Sequence, residues 1–123
     1  MLGYYVSIGY NPCNTDNEEN WETLKRKAKE VCKNPKAIKK EAKKLGCRDK
    51  CEDGCCTLEE YVDVYKRFFN VDGAPVHIDE ENKHIVQYAS TSTEFKYKIR
   101  RAYIRLLIQE MHKLGIEVNL EVV

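Results

Sequence analysis

Four cysteines crowd into ten residues of this chain, Cys47, Cys51, Cys55 and Cys56, in the spacing Cys-x3-Cys-x3-Cys-Cys, with Cys13 and Cys32 upstream. Thiolates are soft ligands, and several of them close together suit tetrahedral zinc or an iron–sulfur cluster. The spacing differs from that of zinc ribbons and knuckles, where two close pairs stand far apart in sequence. Adjacent cysteines such as Cys55 and Cys56 are expected to compete for one ion rather than share it. The expected metal set is therefore Cys47, Cys51 and one of Cys55 or Cys56, completed by Cys13, Cys32 or a histidine. Zinc is the ion such a set would take, with a metal-free chain as the alternative.

The same six thiols can instead pair as disulfides, in any of fifteen full connectivities, or stay idle. Cys32 ends one predicted helix and Cys47 follows the next, so a bridge from either to the cysteine turn is geometrically reasonable. Cys13 admits a third chemistry, because a thiol just before a helix N-terminus acquires thiolate character and becomes a nucleophile. Asp16, Glu18 and Glu19 beside it work against that ionisation, and no second cysteine stands at redox spacing. A thiol-dependent enzyme at Cys13 is the second alternative function.

Three histidines are available. His77 and His84 are expected to face each other across a hairpin, and His112 lies near the end of a long helix, where a cation complements the dipole. No glycine-rich phosphate loop or nucleophile elbow is present.

Charge is unevenly spread. Residues 25–50 carry twelve bases against Glu30, Glu41 and Asp49, whereas residues 51–82 carry nine acids against Lys66 and Arg67. Lys36, Lys39, Lys40, Lys43 and Lys44 on one helix, and Lys98, Arg101 and Arg105 on another, form the basis of a nucleic-acid-binding alternative. The neighbouring acids can also neutralise this block internally, leaving a solvated face. Lys and Glu dominate the charged residues while Gln appears twice. That bias resembles a thermophile surface, the setting in which intracellular disulfides persist.

Hydrophobic periodicity supplies the elements that must position these groups. Tyr4, Val6, Ile8 and Tyr10 alternate as a strand. Trp21, Leu24, Ala28, Val31 and Cys32 form one stripe of a helix, and Asn34 with Pro35 opens a second, stopped by Gly46. Thr57 and Glu60 form a capping box for a third helix with Leu58, Tyr61, Val62, Tyr65, Phe68 and Phe69 inward. Val76 to Ile78 and His84 to Ala89 read as a hairpin. Thr91 with Glu94 is expected to cap the longest helix, apolar over most of its circumference and stopped by Gly115, before a last strand from Ile116 to Val122.

At 123 residues with 42% apolar content, the chain is expected to form one domain, residues 1–123, with a core that needs no staples. No run of 18 apolar residues occurs, and Met1 to Ser7 lacks the basic and apolar regions of a signal peptide. A soluble cytoplasmic protein without a membrane partner is expected. The element order, with residues 34–73 as a helical insertion holding the cysteine cluster, gives a ferredoxin-like β-α-β-β-α-β domain of the α+β class with a four-stranded antiparallel sheet. The function expected is that of a small binding or interaction domain with a structural cysteine cluster. Its apolar long helix points to a homo-oligomer, a dimer, or another protein partner.

Overall fold

The computed structural model describes residues 4–10, 18–67, 76–81, 83–91 and 94–122. Strand β1 is Tyr4–Tyr10, followed by helices α1 (Glu18–Cys32), α2 (Pro35–Lys44) and α3 (Leu58–Asp63), the last continuing as a 3-10 turn over Val64–Arg67. Strands β2 (Val76–Asp79) and β3 (His84–Thr91), helix α4 (Glu94–Lys113) and strand β4 (Val118–Val122) complete the chain.

Local chemistry explains most of these boundaries. Asn34 caps α2, its side chain accepting the Ala37 N–H at 3.3 Å, and Pro35 occupies the first helical position, where a missing N–H costs nothing. Gly46 then takes φ +87°, and the Gly46 and Cys47 amides bond back to Lys43 and Ala42, a Schellman ending. Gly115, at φ +75°, closes α4 in the same way, with Ile116 bonded to Met111. Thr57 caps α3 by accepting the Glu60 N–H at 3.2 Å. Thr91 ends β3 and the described part of α4 begins at Glu94; the expected cap depends on residues 92 and 93, which lie outside the described residues.

The strands pair antiparallel in the order β2-β3-β1-β4. Register aligns Ile78, Ile85, Ile8 and Leu120 in one row across all four. His77 lies opposite Val86 and His84 opposite Asp79, so the two histidines are offset by two residues and do not face each other as expected.

The expected four antiparallel strands are present, and the ferredoxin-like α+β expectation is corrected in the weight of its helices. They run to 15, 10, 6 and 20 residues, against strands of 7, 4, 8 and 5. Among the residues whose burial is described, only Val76 and Ile85 of the buried apolar set belong to strands; the rest lie on helices or their junctions. Helix outweighs strand among the described residues, and the buried residues described lie mostly on α1, α2, α3 and α4. Residues 34–67 are part of that core rather than an appendage, because Ile38, Ala42, Leu58, Val62 and Tyr65 are all buried in it. Element order in a sequence does not reveal which layer carries the packing.

Helix α4 lies at the centre of the helical layer. Tyr103 is wholly buried, stacks on Tyr65 with ring centroids 5.1 Å apart, and donates its hydroxyl to the Ala28 carbonyl at 3.0 Å. Glu41 of α2 is buried and accepts Arg105 Nε at 3.1 Å, with Lys44 Nζ at 3.7 Å. Ala102, Tyr103, Ile104 and Leu107 of the apolar stretch are buried within the chain, while Leu106 and Ile108 are half-buried at its margin. The β2–β3 turn docks on α1: Trp21 Nε1 donates to Glu80 at 3.1 Å, Lys25 pairs with the same carboxylate at 2.9 Å, and Lys83 pairs with Glu18. No helix among the described residues is long and apolar enough to cross a membrane.

Candidate metal centre

The segment between α2 and α3 is folded by its own backbone bonds. Lys50 and Thr57 form an antiparallel bridge, the Leu58 N–H donates to Asp49 O at 2.8 Å and the Cys51 N–H to Cys56 O at 2.8 Å. Within this loop Gly54 N–H donates to Cys51 O at 2.9 Å, closing a tight turn in which Gly54 takes φ +72°. An L side chain rarely adopts that conformation, so glycine is what allows the chain to reverse there.

The reversal gathers three thiols. Cys51 Sγ is 3.4 Å from Cys55 Sγ, Cys55 Sγ is 3.6 Å from Cys56 Sγ, and all three sulfurs lie within 4.8 Å of one another. Zinc–sulfur bonds of about 2.3 Å in a tetrahedron put sulfurs about 3.8 Å apart, so the two edges at Cys55 are within a few tenths of an ångström of that spacing, and the third is no longer than 4.8 Å. Cys51, Cys55 and Cys56 lie close enough to hold a metal ion. The turn at Gly54 brings both Cys55 and Cys56 back toward Cys51, so both members of the adjacent pair, and not one of them alone, lie within reach of one site.

The three sulfurs are electrostatically unequal. Desolvation opposes ionisation of Cys51, but the Cys56 N–H at 3.3 Å, the Cys55 thiol and the Asp53 and Cys55 amides outweigh it and bring the thiol down to about 7. Hydrogen bonding to Cys51 and then Cys56 keeps Cys55 protonated, pushing it up to about 11. Without a cation, Cys51 therefore ionises before Cys55. A divalent ion offsets the repulsion that keeps Cys55 protonated.

The remaining cysteines are elsewhere. Cys47, on the Schellman ending of α2, is buried with its thiol near the Phe95 carbonyl at 4.0 Å and the Arg48 carbonyl at 3.6 Å; burial raises its pKa. Cys32 is buried at the end of α1 and pushed up to about 12 by desolvation. Neither joins the trio, and the five described cysteines are free thiols. Cys13, and with it the nucleophile expected there, lies outside the described residues. His112 is exposed at the end of α4.

One residue of the centre was not singled out by sequence pattern. Glu52, inside the turn, accepts the Phe95 N–H at 3.4 Å and so caps the first turn of α4. A cleft of about 210 Å³ lies between the two, lined by Cys47, Arg48, Lys50, Glu52, Glu94 and Lys98 among others. Of the bases expected on α4, Lys98 is held by Gly46 O and Glu94, Arg105 by Glu41, and Arg101 is exposed.

No protein-family model, curated protein or solved structure matches this chain.

Proposed function

We propose that the Cys51–Cys56 turn binds one zinc ion through Cys51, Cys55 and Cys56, and that the ion is structural within a small binding domain. The observation that carries this reading is the clustering of three sulfurs within 4.8 Å of one another, two of the edges being near the tetrahedral spacing. Three thiolates fill three corners of a zinc tetrahedron, and the exposed flank of Cys55 leaves the fourth open to water or a further protein ligand. The ion would lock a turn whose ends are tied to α3 through Lys50 and Thr57 and to α4 through Glu52. Metal binding in such a turn adds directly to folding free energy, because the unfolded chain has no preformed site.

The test is metal stoichiometry by elemental analysis, together with cobalt substitution, on the full chain and on Cys51→Ser and Cys55→Ser. One ion per chain, with the ligand-field absorption of tetrahedral cobalt thiolate that both serine variants lose, supports the reading. A chain that takes up no zinc or cobalt when fully reduced, or one whose cobalt spectrum survives both substitutions, overturns it.

A further inference from the structure

Helix α2 carries its buried residues Ile38 and Ala42 on one side. At 100° per residue, Lys36, Lys40 and Lys43 fall within about 60° of one another on the opposite, outward crest. Lys39 and Lys44 occupy the flanks of the helix, and acids hold both: Lys39 approaches Glu59 at 4.0 Å and Lys44 approaches Glu41 at 3.7 Å. On the crest only Lys43 is paired, with Asp49 at 2.9 Å. Lys36 and Lys40 are exposed and hold no acid among the described residues, and the same is true of Lys33 before the helix and Arg48 and Lys50 after it. The acids of this region hold the flanks of α2 and, through Asp49, Lys43 at one end of the crest, and leave Lys36 and Lys40 as its unpaired charges among the described residues.

We infer that this ridge, Lys33, Lys36, Lys40 and Lys43, is a docking surface for the phosphodiester backbone of a nucleic-acid duplex. From Lys36 to Lys43 the crest spans about 10 Å at 1.5 Å per residue, a length over which a duplex presents several phosphates. Single-strand recognition needs exposed aromatic faces on which bases stack. Helix α2 carries no aromatic side chain, so its crest offers point charges without a stacking platform. Contacts of this kind grip the backbone and carry no sequence information. The surface is independent of the thiol centre, since it needs only α2 and the residues beside it.

The experiment is fluorescence anisotropy of the full chain with DNA and RNA duplexes of about 20 base pairs and arbitrary sequence, against single strands of equal length, from about 50 to 200 mM salt. About four phosphate contacts predict a slope of log K against log salt near −3.6 and a loss of about two orders of magnitude across that range on duplex DNA. The double variant Lys36→Gln/Lys40→Gln, checked for its helical circular dichroism, is expected to shift the slope to about −2 and weaken low-salt binding about tenfold, while Lys113→Gln at the far end of α4 leaves both unchanged. Preference for DNA or RNA duplex identifies which of the two is the source of the backbone. The inference is overturned if neither duplex binds at low salt, if single strands bind more tightly, if polyglutamate binds equally well, or if the folded double variant binds as the parent does.

Discussion

Glu52 and Phe95 stand 43 positions apart in the sequence, and the carboxylate of the first accepts the backbone N–H of the second at 3.4 Å. The cysteine turn therefore holds the start of the helix around which the core is built. A negative side chain at that position also complements the helix dipole. Glu52→Ala is expected to destabilise the fold by about 0.5–1 kcal/mol, the cost of a lost cap, read from chemical denaturation. Because Glu52 is not a thiol ligand, zinc stoichiometry should stay at one; a variant that loses both stability and metal would mean that Glu52 has a different role.

Arg100 presents the opposite situation. It is 6% exposed, and its Nε and Nη1 atoms are buried with no hydrogen-bond partner among the described residues. Unsatisfied buried donors cost about 1–3 kcal/mol, and an apolar side chain of similar length removes that cost. Arg100→Met is expected to raise the midpoint of thermal unfolding. A fall in the midpoint would show that the guanidinium has an acceptor in solution.

Tyr103 tests the helical core directly. Tyr103→Phe keeps the stacking on Tyr65 but removes the hydroxyl donated to Ala28 O, and should cost about 1 kcal/mol. Tyr103→Ala, which also empties the space of a wholly buried ring, should cost about 3–5 kcal/mol. Equal losses from the two variants would contradict the packing described.

Acid sensitivity is expected at the junction of α1 and the hairpin turn. Hydrogen bonds from Lys25 and then Trp21 hold the Glu80 carboxyl below its usual value of 4.5. A carboxylate depressed in the folded state contributes stability above its unfolded pKa and loses it as pH falls through the folded one. Glu80→Gln should therefore narrow the stability difference between pH 7 and pH 3 relative to the parent, measured by urea denaturation at both. An unchanged difference would remove Glu80 from the acid response.

The thiol triangle predicts a protective effect of zinc. In the metal-free chain, peroxide should oxidise the neighbouring thiols Cys51 and Cys55 to a disulfide, two thiols and one hydrogen peroxide giving one bridge and two waters. Intact mass should fall by two hydrogens, and peptide mapping should join Cys51 to Cys55. Zinc-loaded protein should resist the same treatment, and equal oxidation rates with and without zinc would count against shared ligation.

Sequence rules reached the elements governed by neighbours in the chain. Asn34 with Pro35, Thr57 with Glu60, and the stops at Gly46 and Gly115 are local chemistry, legible because each cap and its helix lie within a few residues. The cysteines were recognisable as a centre, but the membership of the trio depends on the left-handed backbone at Gly54, which spacing does not display. Glu52 on Phe95 and Glu80 on Trp21 join residues 43 and 59 positions apart, and no periodicity marks such pairs. The dominance of helices over strands escaped the pattern for the same reason: alternation shows that a strand exists, not how much of the core rests on it.

The single tryptophan of the chain gives the docking of α1 on the hairpin an optical signature. Trp21 is 1% exposed, hydrogen-bonded to Glu80, and has Lys25 Nζ 5.4 Å from its ring centroid. Its emission in the folded chain should be blue-shifted, and the red shift on denaturation marks the moment when α1 leaves the β2–β3 turn. A stopped-flow trace at that wavelength follows one seam of the molecule, while absorbance of a cobalt-filled thiol turn follows the other. Coincident traces would mean that the two seams open together, and a lag between them would identify which part of the domain lets go first.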